Sequence, residues 1–552
     1  MARAERKAAA AESAKTGVMT HRQIMFVLVG LMAGMFLSAL DQSVVGTAMR
    51  TIADDLHGLS AQAWVTTAYL ITSTIATPIY GKLGDIFGRR YLFITAVSIF
   101  VVGSVISGFA NSMYELAAFR AIQGIGAGGL FALALTILAD IVPPRERAKY
   151  QGLFLAVFGT SSVLGPLIGG MFAGIDSLFG ITGWRWIFLM NLPIGLVALF
   201  LVLSFLHIPH HAAVSKVIDW WGVLTIIIGV VPILIVAEQG REWGWTSLSS
   251  ITAYVVGAIG IVAFILIQRK MGDDALLPLK LFKSRTFSLT TLLGVVVGIG
   301  MFGGMISLPL VLQIVYGATP TESGYLMIPM VLGLMTSSIV SGRITSKTGR
   351  YKIFMVVGTG LMAASYIYLS TLSAGWAVWQ ITIGMVFMGL GLGQMMQTLT
   401  IASQNAAEAR DIGVATSSAT FFRQMGGTLG VAVFLSILFN NLADKGAEIG
   451  AKIGAAIAAN PALLADPKNS AFLPGADIMA RITQDSSFLK TASPELAGPI
   501  KTAFAESAAN VFLTATTVIV VGFALSLFIK ELALRNKSGV QEKAEAAAAA
   551  TH

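Results

Sequence analysis

Long apolar runs, each about 20 residues and separated by short polar stretches, dominate the 552-residue chain. A run of that length is what an α-helix needs to cross a bilayer. Within the runs apolar residues follow one another without alternation, which excludes the two-residue period of a membrane β-barrel. Fourteen spans are predicted: 25–48, 62–80, 91–110, 115–139, 150–174, 184–206, 220–237, 250–269, 288–313, 322–341, 353–371, 378–400, 413–438 and 508–530. The fold class is therefore all-α and polytopic.

The stretches between the spans set the organisation. Residues 1–24, which are rich in Ala, Lys and Arg, read as a disordered leader that is retained, because the apolar run after them is too long for a cleaved signal. The turn Gly81-Lys-Leu-Gly-Asp-Ile-Phe-Gly-Arg-Arg90 recurs in weakened form 261 residues later as Gly342-Arg-Ile-Thr-Ser-Lys-Thr-Gly349-Arg350, with Ser346 where Asp85 stood. Each copy follows the second helix of a six-helix set. The chain then divides into a six-helix bundle (25–207), a linker with two extra helices (208–287) and a second six-helix bundle (288–531). The second bundle contains a long, Ala/Gly-rich external segment, 439–507, which could meet an extracytoplasmic partner. A disordered tail is predicted over 532–552.

Charge supplies the orientation. Only 12% of residues are charged, about half the share of a soluble domain. Basic clusters at Arg145/Arg147/Lys149, Lys280/Lys283/Arg285 and Arg343/Lys347/Arg350/Lys352 all fall on one side, and basic loops stay in the cytoplasm. Both termini are then cytoplasmic. The net charge of +9 reflects this topology and contact with anionic lipid, so no nucleic-acid partner is implied. All nine Trp lie near span ends, as an interfacial belt requires.

The chain has no Cys and six His, all outside the spans. Thiol chemistry is excluded, no metal site is expected, and an integral membrane acyltransferase, the enzyme alternative, lacks a catalytic His. No Gly-x-x-x-x-Gly-Lys-Ser/Thr loop is present for ATP, and no cofactor is expected.

Charges inside spans are costly, about 2.5–3.5 kcal/mol each, so the few present are candidates for function. Asp41 in helix 1 and Arg120 in helix 4 both lie roughly 9 Å below the outer surface by helix rise, and could share one layer. Arg423 in helix 13 has no acidic partner in helices 9–14. Gln123, Met388, Gln394, Gln397, Phe421 and Arg423 are the predicted lining of a substrate cavity, because Met and aromatic surfaces adapt to varied ligands and buried amides need partners.

These motifs resemble the fourteen-helix drug/proton antiporters of the major facilitator superfamily. The turn Gly81–Arg90 is similar to the superfamily's signature loop, which implies a cytoplasmic charge latch of Gly81, Asp85, Gly88, Arg89 and Arg90. Leu40-Asp41-Gln-Ser-Val-Val resembles the first-helix motif of that branch, and Arg120-Ala-Ile-Gln-Gly124 the fourth-helix motif, implying proton coupling through Asp41 and Arg120. Gly159, Gly165, Pro166, Gly169 and Gly170 resemble the antiporter-type fifth-helix motif, and Trp184-Arg-Trp-Ile-Phe-Leu-Met-Asn191-Leu-Pro193-Ile-Gly195 the branch's sixth-helix entry. The resemblance implies a multi-pass protein of the cell membrane that exports amphiphilic drugs or antibiotics, driven by the proton gradient. Export of a lipid or cell-envelope precursor is the alternative on the same fold.

Overall fold

The computed structural model describes residues 21–57, 61–206, 217–473, 488–539 and 541–542. Among the described residues, fourteen helices, labelled here α1–α14, correspond to the fourteen predicted spans. They are His21–Asp55, Gln62–Phe87, Arg89–Ser107, Met113–Ile141, Pro144–Ala173, Asn191–Phe205, Trp220–Trp243, Leu248–Met271, Arg285–Ile314, Ile328–Thr348, Lys352–Leu369, Val378–Asn405, Ile412–Asp444 and Pro494–Phe528. Among the described residues, thirteen helical segments are long and apolar enough to cross a membrane. The fourteenth, α2, carries many Thr and Ser residues and Pro78, and it packs along α4 and α13.

Most helices run past the predicted spans at one end or both, whereas α6 starts at Asn191, inside its predicted span of 184–206. A 33-residue helix such as α13 measures about 50 Å, well beyond the ~30 Å hydrocarbon core. The turn at 81–90 shortens accordingly. It was predicted as a ten-residue hairpin, but α2 continues to Phe87 and α3 starts at Arg89, so Gly88 alone breaks the helix, at φ +92. Only glycine adopts that conformation without strain. Gly349 does the same in the repeat, at φ +74 between α10 and α11.

Two bundles result, α1–α6 and α9–α14, each with its own apolar core. They meet along two seams, α2 against α13 and α5 against α10. The α7–α8 pair packs tightly on itself: a Cβ at Gly260 would collide with the backbone of Gly229. Its α7 side lies against α2 and α13, so the extra pair covers one of the two seams. Between α5 and α6 a two-residue hairpin pairs Ser177 with Thr182.

The external segment, read from sequence as a connector with helix-like stretches near 442–458 and 494–507, and the start of the tail both carry defined structure among the described residues. Within 439–507, helix Gly446–Ala459 buries Ile449 and Ile453. Asn469 pins the following turns by donating to the Leu463 carbonyl and to Ser493 Oγ, both at 2.8 Å, and accepting from the Ser493 amide at 2.9 Å. Residues 474–487 lie outside the described residues, as do the N-terminal leader to residue 20 and the last ten residues. The tail predicted to be disordered from 532 is instead docked over 532–539. Asn405 donates to the Ala533 carbonyl at 3.0 Å, the Leu532 amide donates to Tyr351 Oη at 2.9 Å, and Arg535 donates to the carbonyls of Asn405 and Ala407. Sequence periodicity misses this because the tail is held by isolated polar groups around Tyr351 and Asn405–Ala407, side-chain and backbone alike, with no apolar pattern of its own.

Candidate functional site

Asp41 sits midway along α1 and is 1% exposed. Its carboxylate draws donors from two other helices of the first bundle. Arg120 of α4 pairs with Oδ2. Oδ1 accepts from Gln123 Nε2 and from Asn191 Nδ2, each at 2.9 Å. Arg120 also donates to Gln123 Oε1 at 2.8 Å and lays its guanidinium over the Tyr69 ring at 4.0 Å. Tyr69 Oη in turn meets Ser38 Oγ at 2.8 Å, one turn before Asp41. Asn191 reaches Ser104 of α3 as well, at 2.9 Å. One carboxylate thus ties α1, α4 and the start of α6 into a single buried network. An ionised group with partners on every side is the arrangement that makes such burial tolerable.

The second cluster lies at the end of the molecule where the basic loops gather. Arg89 pairs with Asp85 one turn earlier and with Asp140 at the end of α4, at 2.7 Å. It also donates to the Thr136 carbonyl at 3.3 Å. Arg90 donates to the Leu203 carbonyl at 2.8 Å, tying α3 to the end of α6. Asp85 reaches across the seam and accepts from the Val414 amide at 3.2 Å. A carboxylate at a helix start satisfies an orphan amide and complements the helix dipole. Gly81 lies so close to Ser417 of α13 that no Cβ fits.

The other seam is held in a matching way. Arg145 at the start of α5 donates to the carbonyls of Ser346 and Lys347, at 3.0 and 2.8 Å. Arg147 donates to Gln404 Oε1 of α12. The basic end of the molecule is therefore shut, with one polar clasp on each seam.

The fifth-helix motif faces two ways. Gly165 and Gly169 press against Ser43 and Val44 of α1, just past Asp41, leaving no space for a Cβ. Gly159 meets Val331 of α10, while Pro166 and Gly170 approach Gly324 and Thr321 of the second bundle. Close packing through small residues is how membrane helices slide on one another.

The predicted cavity residues do not converge. Gln123 is spent on the Asp41 network. Met388, fully buried, fills the second core beside Gly304. Gln394 Nε2 donates to the Leu390 carbonyl of its own helix at 3.2 Å, and Gln397 Oε1 accepts from Ser338 at 3.0 Å. Phe421 packs with Ile71, Ile75 and Leu234 at the α2–α7–α13 junction. Arg423 lies against Gly294 and Gly298 of α9 and has no hydrogen-bond partner among the described residues. With the basic end shut, the two bundles pack together where a cavity was predicted.

Neither Asn191 nor Asp140 is among the predicted site residues: Asn191 stands only within the sixth-helix motif, and Asp140 lies just past the predicted span 115–139. Both are buried and paired. An Asn inside an apolar run was the available signal for the first; for the second the signal was weak, because its partner lies 51 residues away.

Comparison with known proteins fits this architecture. Residues 31–431 match the family model of the Major Facilitator Superfamily. The chain belongs to the major facilitator superfamily. Among relatives, the multidrug transporter protein MdtP of Bacillus subtilis is 36% identical over 550 residues, covering 97% of this chain and 98% of that protein. Multidrug resistance protein 3 of Bacillus subtilis is 34% identical over 421 residues, covering 76% of this chain and 80% of that one. The solved proton:xylose symporter XylE shares the fold at a TM-score of 0.58 and 14% identity, over 95% of this chain and 99% of that one. The family consists of transporters rather than enzymes, and its fold makes this chain a multi-pass membrane protein.

Proposed function

We propose that this major facilitator protein exports amphiphilic drugs from the cytoplasm in exchange for protons, by alternating access of a site between its two bundles. The names of its bacterial relatives support the cargo: both are multidrug proteins that match most of this chain. Proton coupling rests on Asp41. Its carboxylate is the one acidic group at the centre of a buried network that joins three helices. Protonation cancels the ion pair with Arg120 and weakens the acceptor that holds Gln123 and Asn191. The loss of one charge therefore loosens α1 from α4 and α6 together. Because Gly165 and Gly169 seat α5 directly on α1, a shift of α1 is passed to the helix that meets the second bundle.

The clasps at Asp85 and Arg145 hold the basic, cytoplasmic end closed, so opening at the opposite end would admit protons to Asp41 from the outside. Release of cargo outward and protonation of Asp41 then belong to the same state. The test is transport of a fluorescent lipophilic cation in proteoliposomes under an imposed pH gradient. Wild type should transport, and a protonophore should stop it; Asp41→Asn should show at least a tenfold loss. Wild-type rates in the Asn variant would remove Asp41 from the mechanism.

A further inference from the structure

The α7–α8 pair lies against a seam, and that seam carries a feature the coupling mechanism does not use. A narrow cleft of about 190 Å3, counted out to its open mouth, is lined by Thr67, Leu70 and Ile71 of α2, Leu234 and Glu238 of α7, and Thr428 of α13. Glu238 lies 18 residues along α7 from Trp220, about 27 Å. Thr67 lies five residues from the start of α2. Both place the cleft in the half of the molecule away from the basic end.

The cleft holds two polar groups without partners. Among the described residues no donor approaches the Glu238 carboxylate. Thr67, 1% exposed, has a buried hydroxyl with no hydrogen bond. The remaining walls are Leu70, Ile71, Leu234 and Thr428, whose hydroxyl donates to the Gln424 carbonyl of its own helix, and among the described residues no Lys, Arg or His lines them. Glu238 lies near the end of its apolar helix, two residues before Gly240, and a carboxylate at the edge of a span is normally matched by a cation or by donors. Asp41, Asp85 and Asp140 all have such partners; Glu238 has none among the described residues.

We infer that this cleft is a binding site for a lipophilic monocation, with Glu238 as the charge partner, Thr67 as a polar contact and Leu70, Ile71 and Leu234 as the apolar wall. The inference rests on the reading of the chain as a drug exporter and names the class of cargo that this site selects. In the present conformation the cleft has no room for even a water molecule. It lies on the α2–α13 seam, so parting of the bundles opens it. The extra helix pair thereby acquires a role: it supplies the acid and one wall of a lateral site, in a transporter whose second bundle has no acid deep in its spans.

The test uses purified full-length protein, tetraphenylphosphonium as the probe and neutral triphenylphosphine oxide as its uncharged counterpart. Glu238→Gln should weaken tetraphenylphosphonium binding at least tenfold and leave triphenylphosphine oxide binding unchanged, which also shows that the variant is folded. Because the chain has no cysteine, Thr67→Cys gives a single thiol in a background that keeps Glu238. Tetraphenylphosphonium should slow its alkylation, and the neutral compound should not. Equal cation binding by wild type and Glu238→Gln, absence of cation binding to wild type, or unprotected alkylation at Thr67→Cys each overturns the site. Asp41→Asn separates the two readings: it should abolish gradient-driven transport while still binding tetraphenylphosphonium.

Discussion

Asp85 of the first bundle accepts a hydrogen bond from the Val414 amide of the second at 3.2 Å while it pairs with Arg89 of its own bundle. One carboxylate therefore does two jobs at the shut end of the molecule. It completes the α2–α3 corner, and it caps a helix that must move away when that end opens.

Asp85→Asn retains a capping oxygen and loses the charge; Asp85→Ala loses both. Removing a helix cap costs about 0.5–2 kcal/mol, enough to shift a finely balanced pair of states severalfold. Spin labels placed on Cys introduced at the ends of α2 and α13 should show a larger separated population in Asp85→Ala than in Asp85→Asn. Identical distance distributions would mean that the cap does not hold the seam.

Arg120 combines an ion pair with a flat stack on Tyr69, which lysine does not match. Its guanidinium reaches Asp41 and Gln123 at once and stacks on Tyr69 at 4.0 Å, geometry that a single ammonium cannot reproduce. Arg120→Lys should therefore lower gradient-driven transport at least tenfold, almost as much as Arg120→Ala. Asn191→Leu, which removes one donor from a buried charge, should cost about 1.5–3 kcal/mol, visible as a lower Tm in detergent. A fully active Arg120→Lys would show that charge alone suffices at this position.

The fifth-helix glycines differ in what they can tolerate. A Cβ at Gly165 would overlap the Ser43 side chain, whereas the nearest atom to a Cβ at Gly170 is Thr321 Oγ1 at 3.8 Å. Gly165→Ala should impair transport severely and Gly170→Ala hardly at all. Adding Ser43→Gly to Gly165→Ala removes most of the overlap and should restore much of the activity. Failure of that rescue would count against steric contact as the cause.

The docked tail bridges the bundles. Arg535 is held by Asn405 and Ala407 of the second bundle, while Gly539 lies beside Asp140 and the Ala139 carbonyl of the first. Truncation after residue 531, or Arg535→Ala, should increase labelling of Cys introduced at the basic end of α4, a site the tail covers. Unchanged labelling would make the tail a passenger.

Much of this architecture is readable from sequence. Continuous apolar runs locate all fourteen helices, and the paired turns at Gly88 and Gly349, both at positive φ, reveal the two bundles. Helix rise alone places Asp41 and Arg120 in one layer, where the structure finds them paired. Partners chosen across the fold are less accessible. Asn191 joins Asp41 from 150 residues away, and Asp85 reaches a backbone amide that carries no sequence signal. The scattered cavity residues fail for a related reason. Their side-chain types suit a cavity, but in the closed state Met388 fills a core and Gln123 serves a carboxylate.

The most direct test of the account is proton counterflow. Proteoliposomes loaded with a pH-sensitive dye and given a lipophilic cation should show proton movement opposite to drug movement for wild type. The same preparation of Asp41→Asn should bind the drug and move no protons. Drug transport by wild type without proton movement, or proton movement undiminished in the Asp41→Asn variant, would contradict coupling through Asp41.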